Sequence, residues 1–321
     1  MSAINRDSET FALLRQMFRD QMMSIPVSFS PLTGGIVNKV YEVKTNDGCG
    51  YVVRVQTDSF ETFMKEKWVM EQVATKSVTV PRVYAVGKLD NTESYMILEK
   101  IEGISGNKIS KESQIETYRQ LGHFAKEVNS IIVPTAGYGF NFSLFPTPHF
   151  LEPWEEVWAW NENNVLQADI LNQVLGIHAE QTQQIREYLA PLSKLNGPPC
   201  LCHCDISLDN CIVKLDGSVV LIDWTLTHAM PSNVFELGNM ITWDDDQDHV
   251  QAFFTGYGIT DAQWDTIKQD VFRAKLLNLL KAATWCYQEQ KPSEYSRIKK
   301  SVLSFLSMNL CLFPRNEFSP L

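Results

Sequence analysis

The sequence contains no apolar run of the length that a membrane-spanning helix needs. Such a helix takes about 18 or more consecutive apolar residues. The nearest candidate, Val302–Phe313, is interrupted by Ser304, Ser307 and Asn309. The chain also does not open with the basic segment and apolar core of a secretion signal. We therefore expect no membrane association and a cytosolic protein.

An excess of basic residues is also missing. Lys and Arg number 28 against 38 Asp and Glu, which gives a formal net charge of −10. A nucleic-acid-binding protein needs a basic surface to contact phosphates, so nucleic acid is not an expected partner. The acidic balance is compatible with a cationic or neutral small molecule. Repeats, low-complexity tracts and flexible linkers are absent from a sequence of ordinary globular composition.

The seven cysteines form no paired pattern typical of a metal site or a disulfide framework. An odd number without a secretory start favours reduced thiols. Cys200, Cys202 and Cys204 could suggest zinc, but residues two apart in an extended segment lie about 6.6 Å apart. Four ligands at bonds of about 2.3 Å need closer sulfurs than that. We interpret these cysteines as small buried side chains of a core strand.

The most informative stretch runs from Leu201 to Trp224 and predicts a β-hairpin. Two β-branched and aliphatic runs, 211–215 and 218–222, flank Asp216-Gly217. An Asp-Gly pair between such runs favours a two-residue type I′ turn, because both central residues need positive φ. In the register that this turn sets, residue 213 faces residue 220.

The same register places Asn210 opposite Asp223, with Cβ atoms about 4.5–5.5 Å apart. An amide oxygen and a carboxylate at that separation can share a Mg²⁺ ion, which prefers a few protein oxygens together with substrate phosphates. Asp205 lies five residues before Asn210, near enough to orient a nucleophile. These three residues are the predicted centre of the chemistry.

His203-Cys204-Asp205, with Asn210 and Ile222-Asp223-Trp224 downstream, resembles the catalytic and metal loops of the aminoglycoside phosphotransferase family. That family includes hygromycin, choline and homoserine kinases. The resemblance implies an α+β, two-lobed, protein-kinase-like fold, with a small antiparallel-sheet lobe at 1–100 and a mostly helical lobe at 101–321. It implies ATP and Mg²⁺ as cofactors, with Asp205 acting on the substrate hydroxyl and Asn210 and Asp223 as metal ligands. Cys204 departs from the family's small residue, and no Phe-Gly follows Asp223, which counts against a protein kinase.

Other positions acquire expected roles from the same resemblance. Gly34-Gly35, before a strand at 39–45, allows close backbone approach to phosphate. Arg54, in a second strand from residue 50, stands where the family has the cation that binds the α- and β-phosphates, and Arg can do so bidentately. Glu66 and Glu71 are candidate partners of Arg54, and Glu66 matches the family's position. The implied nucleotide contacts further along are the backbone of Glu99 and Ile101, at the adenine, and Ile222.

The remaining periodicity predicts mostly helices after residue 110. Helices are expected at 7–24, after Thr57 or Asp58, from Ser110, at 154–175, 179–194, after Pro231, at 261–290 and at 292–309, and further strands from Pro81 and from Ser94.

Two groups of residues could line a pocket for a cationic substrate. The first comprises Glu155, Glu156, Trp158 and Trp160, and the second is the acidic run 244–246; solvent-exposed charges and core tryptophans are the alternative for each. Glu236 stands near a family Asp that anchors the catalytic loop, so we interpret it as structural. His203 is expected to brace the backbone.

The predicted function is therefore ATP- and Mg²⁺-dependent transfer of a phosphoryl group to a hydroxyl of a small cationic molecule of the aminoglycoside or hygromycin type. Two alternatives remain. One is a kinase of a metabolite such as choline or homoserine, and the other is a nucleotide-binding pseudokinase scaffold.

Overall fold

The computed structural model describes residues 12, 15–19, 24–32, 39–57, 60–141, 149–150 and 153–310. The chain divides into two compact units. Unit 1 comprises Met1–Ser110, Phe140–Pro148 and Leu208–Thr225; unit 2 comprises Lys111–Gly139, His149–Ser207 and Leu226–Leu321. The hairpin at 208–225 thus belongs to unit 1. The assignment of functional lobes to 1–100 and 101–321 stays a prediction.

The elements are numbered in chain order. The strands are β1 Pro26–Pro31, β2 Lys39–Thr45, β3 Gly50–Thr57, β4 Val83–Lys88, β5 Glu93–Glu99, β6 Ile104–Ser105, β7 Phe140–Asn141, β8 His149–Phe150, β9 Cys200–Cys202, β10 Cys211–Val213, β11 Val219–Leu221 and β12 His228–Met230. The helices from residue 60 onward are α1 Phe60–Ala74, α2 Lys111–Asn129, α3 Trp154–Asn164, α4 Ala168–Leu175, α5 Ala179–Ser193, α6 Val234–Trp243, α7 Gln247–Tyr257, α8 Asp261–Gln288 and α9 Pro292–Leu310.

A five-stranded antiparallel sheet forms the centre of unit 1, in the order β1-β2-β3-β5-β4. Alternate residues of its strands enter one apolar core, because successive side chains point to opposite faces. That core comprises Met17, Phe18, Tyr41, Val43, Tyr51, Val53, Val55, Tyr95 and Ile97. The strands predicted from residues 39 and 50 are confirmed. The sequence analysis missed β1, whose prolines at both ends are tolerated in a strand at the sheet edge.

Helix α1 packs against β4 and β5 of this sheet. Its buried residues include Phe63, Glu66, Met70 and Val73, which recur at helical spacing. Arg54 is paired with Met96 across β3 and β5 and faces away from Val53 and Val55. The buried face of α1 thus carries the charged residues Lys65 and Glu66 beside its apolar ones, and Arg54 is buried in the sheet.

Unit 2 is mostly helical and contains the antiparallel strand pair of β9 and β12. The predicted core strand is confirmed for Cys200 and Cys202, whereas the prediction is wrong for Cys204, which lies outside the strand and is half-buried. Burial raises the pKa of the Cys202 thiol. The single helix predicted at 154–175 is wrong. The chain leaves the helix after Asn164 so that Val165 and Leu166, 2% and 1% exposed, enter the core. Helix α7, begun by the Asp246 side chain accepting the Asp248 amide, was not predicted.

Across the described ranges, no helix is both long enough and apolar enough to cross a membrane.

Helices α2 and α7 approach each other closely at two glycines. A Cβ atom on Gly122 would overlap the carbonyl oxygen of Phe253, and one on Gly256 would overlap that of Arg119. Both obstacles are backbone atoms of the opposite helix, so neither can be relieved by a side-chain rotation. Only glycine permits this helix–helix distance.

Gly256→Ala should therefore lower the free energy of unfolding by about 1–3 kcal/mol, the usual cost of overpacking. The measurement is denaturant unfolding of the purified protein. Gly50→Ala is the matched control, because its new methyl group would meet only the flexible Lys100 side chain, at 3.1 Å. Equal unfolding midpoints for the two variants would contradict the close-packing interpretation.

Candidate active site

The hairpin at the predicted centre forms, but its register differs from the prediction by one residue. Cys211 pairs with Leu221 and Val213 with Val219, so residue 213 does not face residue 220. Gly217 has φ of +81° whereas Asp216 lies outside the left-handed region. The predicted two-residue turn is therefore wrong, and the loop has three residues with a left-handed glycine at its end, as in a G1 bulge.

This register also corrects the predicted opposition of Asn210 and Asp223. The Ile222 amide donates to the Asn210 carbonyl oxygen at 2.9 Å, so Asn210 lies opposite Ile222. Asp223 is the next residue and adopts a left-handed conformation with φ of +58°. Both residues lie at the open end of the hairpin in unit 1, Asn210 half-buried and Asp223 exposed. Their role as metal ligands stays a prediction.

Arg54 and Glu66 form the predicted ion pair, with Arg54 Nη1 and Glu66 Oε2 at 2.5 Å. Glu66 is fully buried, and burial raises the pKa of its carboxyl group while the Arg54 charge opposes that rise. Arg54 also lies over the Phe63 ring, 5.3 Å from its centroid. The guanidinium is thus fixed between α1 and the sheet.

Thr225 joins this pair to the hairpin. Arg54 Nη2 donates to Thr225 Oγ1 at 3.0 Å and lies 3.8 Å from Asp223 Oδ1. Thr225 Oγ1 lies 3.1 Å from Glu66 Oε1 and 2.7 Å from Asp223 Oδ1, and Lys65 Nζ donates to the Thr225 carbonyl oxygen at 2.8 Å. The sequence analysis missed Thr225 and Lys65. The sequence signal that could have indicated Thr225 is its position two residues after Asp223, which is typical of an Asx turn. The structure has this turn, with the Thr225 amide donating to Asp223 Oδ1 at 3.4 Å.

The structure gives less information on the other residues that the resemblance implies as nucleotide contacts. Glu99 ends β5, and its amide donates to the Arg82 carbonyl oxygen at 2.8 Å. Ile101 follows in a segment without regular structure and is half-buried. Gly34 and Gly35 lie outside the described residues. The roles of these positions stay predictions.

The loop that carries Asp205 follows strand β9 in unit 2 and is held by Glu236. The amides of His203 and Cys204 both donate to the Glu236 carboxylate, the first at 2.5 Å and the second at 3.2 Å. Cys204 has φ of +63°, and a left-handed residue lets successive amides converge on one anion. The Asp205 amide donates to His203 Nδ1 at 3.3 Å. Both predicted structural roles, of Glu236 and of His203, are confirmed.

The left-handed conformation of Cys204 also explains why the family that the sequence resembles has a small residue at this position. Left-handed backbone favours glycine, because a Cβ atom crowds the neighbouring peptide. This backbone conformation therefore favours a small residue. The strained backbone of cysteine at this position costs about 1–3 kcal/mol of folding free energy.

Asp205 lines a cavity of about 530 Å³ that lies within unit 2. Cys204, Tyr138 and Trp160 also contribute to its wall, together with Trp243 and Trp285. The three tryptophans are 41–52% exposed. Among the residues that the structure describes, Asp205 is the only carboxylate that lines this cavity and Lys281 the only lysine or arginine.

Only part of the set of residues that was predicted to line a substrate pocket lies in the wall of this cavity. Trp160 lines the cavity, whereas Glu155, Glu156 and Trp158 do not. In the acidic run, Asp244 pairs with His249 at 3.0 Å and Asp246 with Lys111 at 3.1 Å.

The α8 residues that line the cavity, among them Lys281, were missed. The signal available in the sequence was a lysine within the helical stripe of Leu277 and Thr284.

Glu236 generates a pH-dependent contribution to stability. Burial raises the pKa of its carboxyl group from 4.5 to about 7, and the nearby Asp205 charge adds to the rise, while the two amides oppose it. A carboxyl group whose pKa is raised in the folded state contributes its full stabilisation at pH values below its pKa in the unfolded state. This contribution is lost as the pH rises through its pKa in the folded state.

Glu236→Gln, which keeps an uncharged side chain at every pH, should remove this dependence. The free energy of unfolding of the parent should fall relative to the variant by about 3 kcal/mol between pH 4.5 and 7. Denaturant unfolding across that range measures it, with Glu180→Gln at an exposed position as the control. Parallel curves for parent and Glu236→Gln would refute the assignment.

Comparisons with known proteins find relatives that are named as kinases. A protein-ribulosamine 3-kinase, chloroplastic, of Oryza sativa subsp. indica is 27% identical over 205 residues, which are 60% of this chain and 57% of that protein. A probable ketoamine kinase of Staphylococcus aureus is 25% identical over 206 residues, 60% of this chain and 67% of the other. The match thus spans less than two thirds of the rice protein.

The fold is similar to that of an aminoglycoside phosphotransferase crystallised with ADP and hygromycin B. The TM-score is 0.73 at 12% identity, and the likeness covers 92% of this chain and 98% of the other. The predicted kinase-like α+β fold is confirmed. A model of the phosphotransferase enzyme family matches residues 28–268. Because that match covers well over half of the sequence, the chain belongs to the phosphotransferase enzyme family and is a small-molecule kinase.

Proposed function

We propose that this protein transfers the γ-phosphoryl group of ATP to a hydroxyl group of a small molecule and requires Mg²⁺. The observation that carries the proposal is the environment of Asp205, a cavity-lining carboxylate on a loop held by the buried Glu236. A group that accepts a proton or orients a nucleophile must reach the reacting hydroxyl. A carboxylate in the wall of a ligand-sized cavity meets that requirement.

The donor side of the reaction belongs to unit 1. Arg54 is fixed by Glu66 and Thr225, and these two bonds leave further N–H groups of the guanidinium for phosphate oxygens. A guanidinium whose orientation is set before the ligand arrives loses little entropy on binding it. Arg54 would therefore position the nucleotide phosphates, as the resemblance implies for Gly34 and Gly35.

The residues at the open end of the hairpin fit a magnesium ion by the chemistry of their donors. Asp223 offers a carboxylate and Asn210 an amide oxygen, and no cluster of three or more acidic, histidine or cysteine ligands occurs within the described ranges. Few protein oxygens are what Mg²⁺ takes when phosphates and water supply the rest. When bound, it would neutralise charge on the phosphates.

Asp205 acts on the acceptor. Phosphoryl transfer passes through a loose transition state that needs alignment and charge neutralisation more than covalent help. Asp205 would orient the incoming hydroxyl and receive its proton. The Glu236 contacts keep the loop in place while this happens.

Asp205→Ala should reduce turnover by a factor on the order of 10²–10⁴, with the affinity for ATP nearly unchanged. Steady-state kinetics with the best acceptor, and nucleotide binding by titration, separate the two effects. Asp169→Ala, at an exposed position of α4, should behave as the parent does. Turnover unchanged in Asp205→Ala would end the proposed role.

Asp223→Ala should instead weaken nucleotide binding in the presence of Mg²⁺ by roughly 10-fold or more. Binding measured without the metal should change little, because the variant removes a metal ligand. Asp216→Ala, in the exposed loop of the same hairpin, is the control. A variant that retains the full effect of Mg²⁺ on ATP affinity would disprove the ligand assignment.

The acceptor class is the finer part of the proposal. The predicted aminoglycoside acceptor carries several positive charges, but Asp205 is the only carboxylate that the described part of the chain contributes to the cavity wall. The relatives matched in sequence are named ketoamine and ribulosamine kinases, which favours a sugar-like hydroxylated acceptor. Choline and homoserine remain further candidates.

The test is ATP consumption with a panel of aminoglycosides, ketoamines and amino alcohols. Consumption that depends on one of these acceptors and is lost in Asp205→Ala supports a kinase. A parent protein that binds ATP but consumes none with any acceptor would instead support the pseudokinase alternative.

A further inference from the structure

One wall of the cavity in unit 2 is a single face of helix α8. Leu277, Lys281, Thr284 and Gln288 line it, at intervals of four, three and four residues. These intervals place the four side chains on one side of the helix. The cavity therefore meets a regular row of side chains that a substrate of suitable length can contact together.

Lys281 is the cation of this row. Its Nζ donates to the Tyr138 hydroxyl at 3.0 Å and lies 4.7 Å from the centroid of the Tyr138 ring. No carboxylate of the described residues lies within 4.0 Å of it, although Lys111 and Arg273 in the same unit each have such a partner. A half-buried ammonium held by a tyrosine and lacking a counterion is suited to an anionic ligand.

Thr284, one turn further along α8, provides an independent indication. It is 4% exposed, lines the cavity, and its Oγ1 has no hydrogen-bond partner among the described residues. A buried hydroxyl without a partner costs free energy. A ligand oxygen between Lys281 and Thr284 would remove that cost.

The rest of the cavity restricts what accompanies the anionic group. Trp160, Trp243 and Trp285 expose 52%, 41% and 50% of their surface. Large aromatic surfaces in a cavity favour the flat or apolar faces of a ligand. The carboxylate of Asp205 in the cavity wall repels a dianion more strongly than a monoanion, so a carboxylate suits the cavity better than a phosphate ester.

We propose that Lys281, assisted by Thr284, is a specificity-determining residue that binds a carboxylate group of the acceptor. The acceptor would then be a polyhydroxylated compound with one carboxylate, rather than a polycation. This inference rests on the proposed function, because it assigns Asp205 and Lys281 to the same substrate. It separates the two ends of that substrate, with the hydroxyl at Asp205 and the carboxylate at Lys281.

The experiment uses two probes that differ in one group. N-fructosylglycine carries a hydroxylated sugar portion and a carboxylate, and N-fructosylglycinamide has the same sugar portion with a neutral amide. Binding to the full chain is measured by calorimetric titration in the presence of Mg²⁺ and a non-hydrolysable ATP analogue. The parent should bind the carboxylate probe at least 10-fold more tightly than the amide.

Lys281→Met should abolish this preference, leaving both probes at the affinity of the amide, and Lys281→Arg should retain most of it. Thr284→Val should reduce it several-fold. Lys268→Met, at a half-buried position of α8 outside the cavity wall, should keep the full preference. A merely structural role of Lys281 would weaken both probes equally, so the ratio of the two affinities is the deciding quantity.

Three results would overturn the inference. They are a parent that does not prefer the carboxylate probe, a parent that binds kanamycin or fructose 6-phosphate more tightly than either probe, and an unchanged ratio in Lys281→Met. Each leaves the proposed function intact if acceptor-dependent ATP consumption is still lost in Asp205→Ala. The proposed function itself would be disproved by a different result, namely that the parent shows no ATP consumption that depends on an acceptor.

Discussion

A carboxylate removed from water must be compensated by charge or by hydrogen bonds, and this constraint organises both units of the protein. In unit 1 the buried Glu66 is compensated by Arg54 and Thr225, which ties the sheet, helix α1 and the hairpin together. In unit 2 the buried Glu236 is compensated by two successive amides of the loop that carries Asp205. Glu66 holds Arg54, a candidate phosphate-binding residue, and Glu236 holds the loop that carries Asp205, the candidate catalytic residue.

The sequence predicts these pairs better than it predicts geometry. The partner of Arg54 could be chosen because Glu66 falls on the buried stripe of α1, and the bracing role of His203 followed from its place beside a core strand. The hairpin register could not be chosen correctly, because Asp-Gly fits both a two-residue turn and the end of a three-residue loop. Only the backbone angles of Asp216 and Gly217 decide between them.

The cavity was the least predictable part, because its wall combines residues from distant parts of the sequence. Tyr138, Asp205 and Lys281 are separated by more than 60 residues each, and no local pattern joins them. Tryptophans at helical spacing usually indicate core, and Trp158 in α3 is indeed buried, while Trp160 lines the cavity. The two residues have the same type and nearly the same position, so their roles depend on what packs against α3.

The left-handed backbone at Cys204 has a consequence for how such an enzyme can change over time. This conformation directs the amides of His203 and Cys204 onto Glu236. The shape of the Asp205 loop is therefore determined by a side chain that does not line the cavity. The tryptophans and the α8 face can then be replaced without moving the reactive carboxylate. A scaffold built in this way can acquire a new substrate while its reaction stays the same.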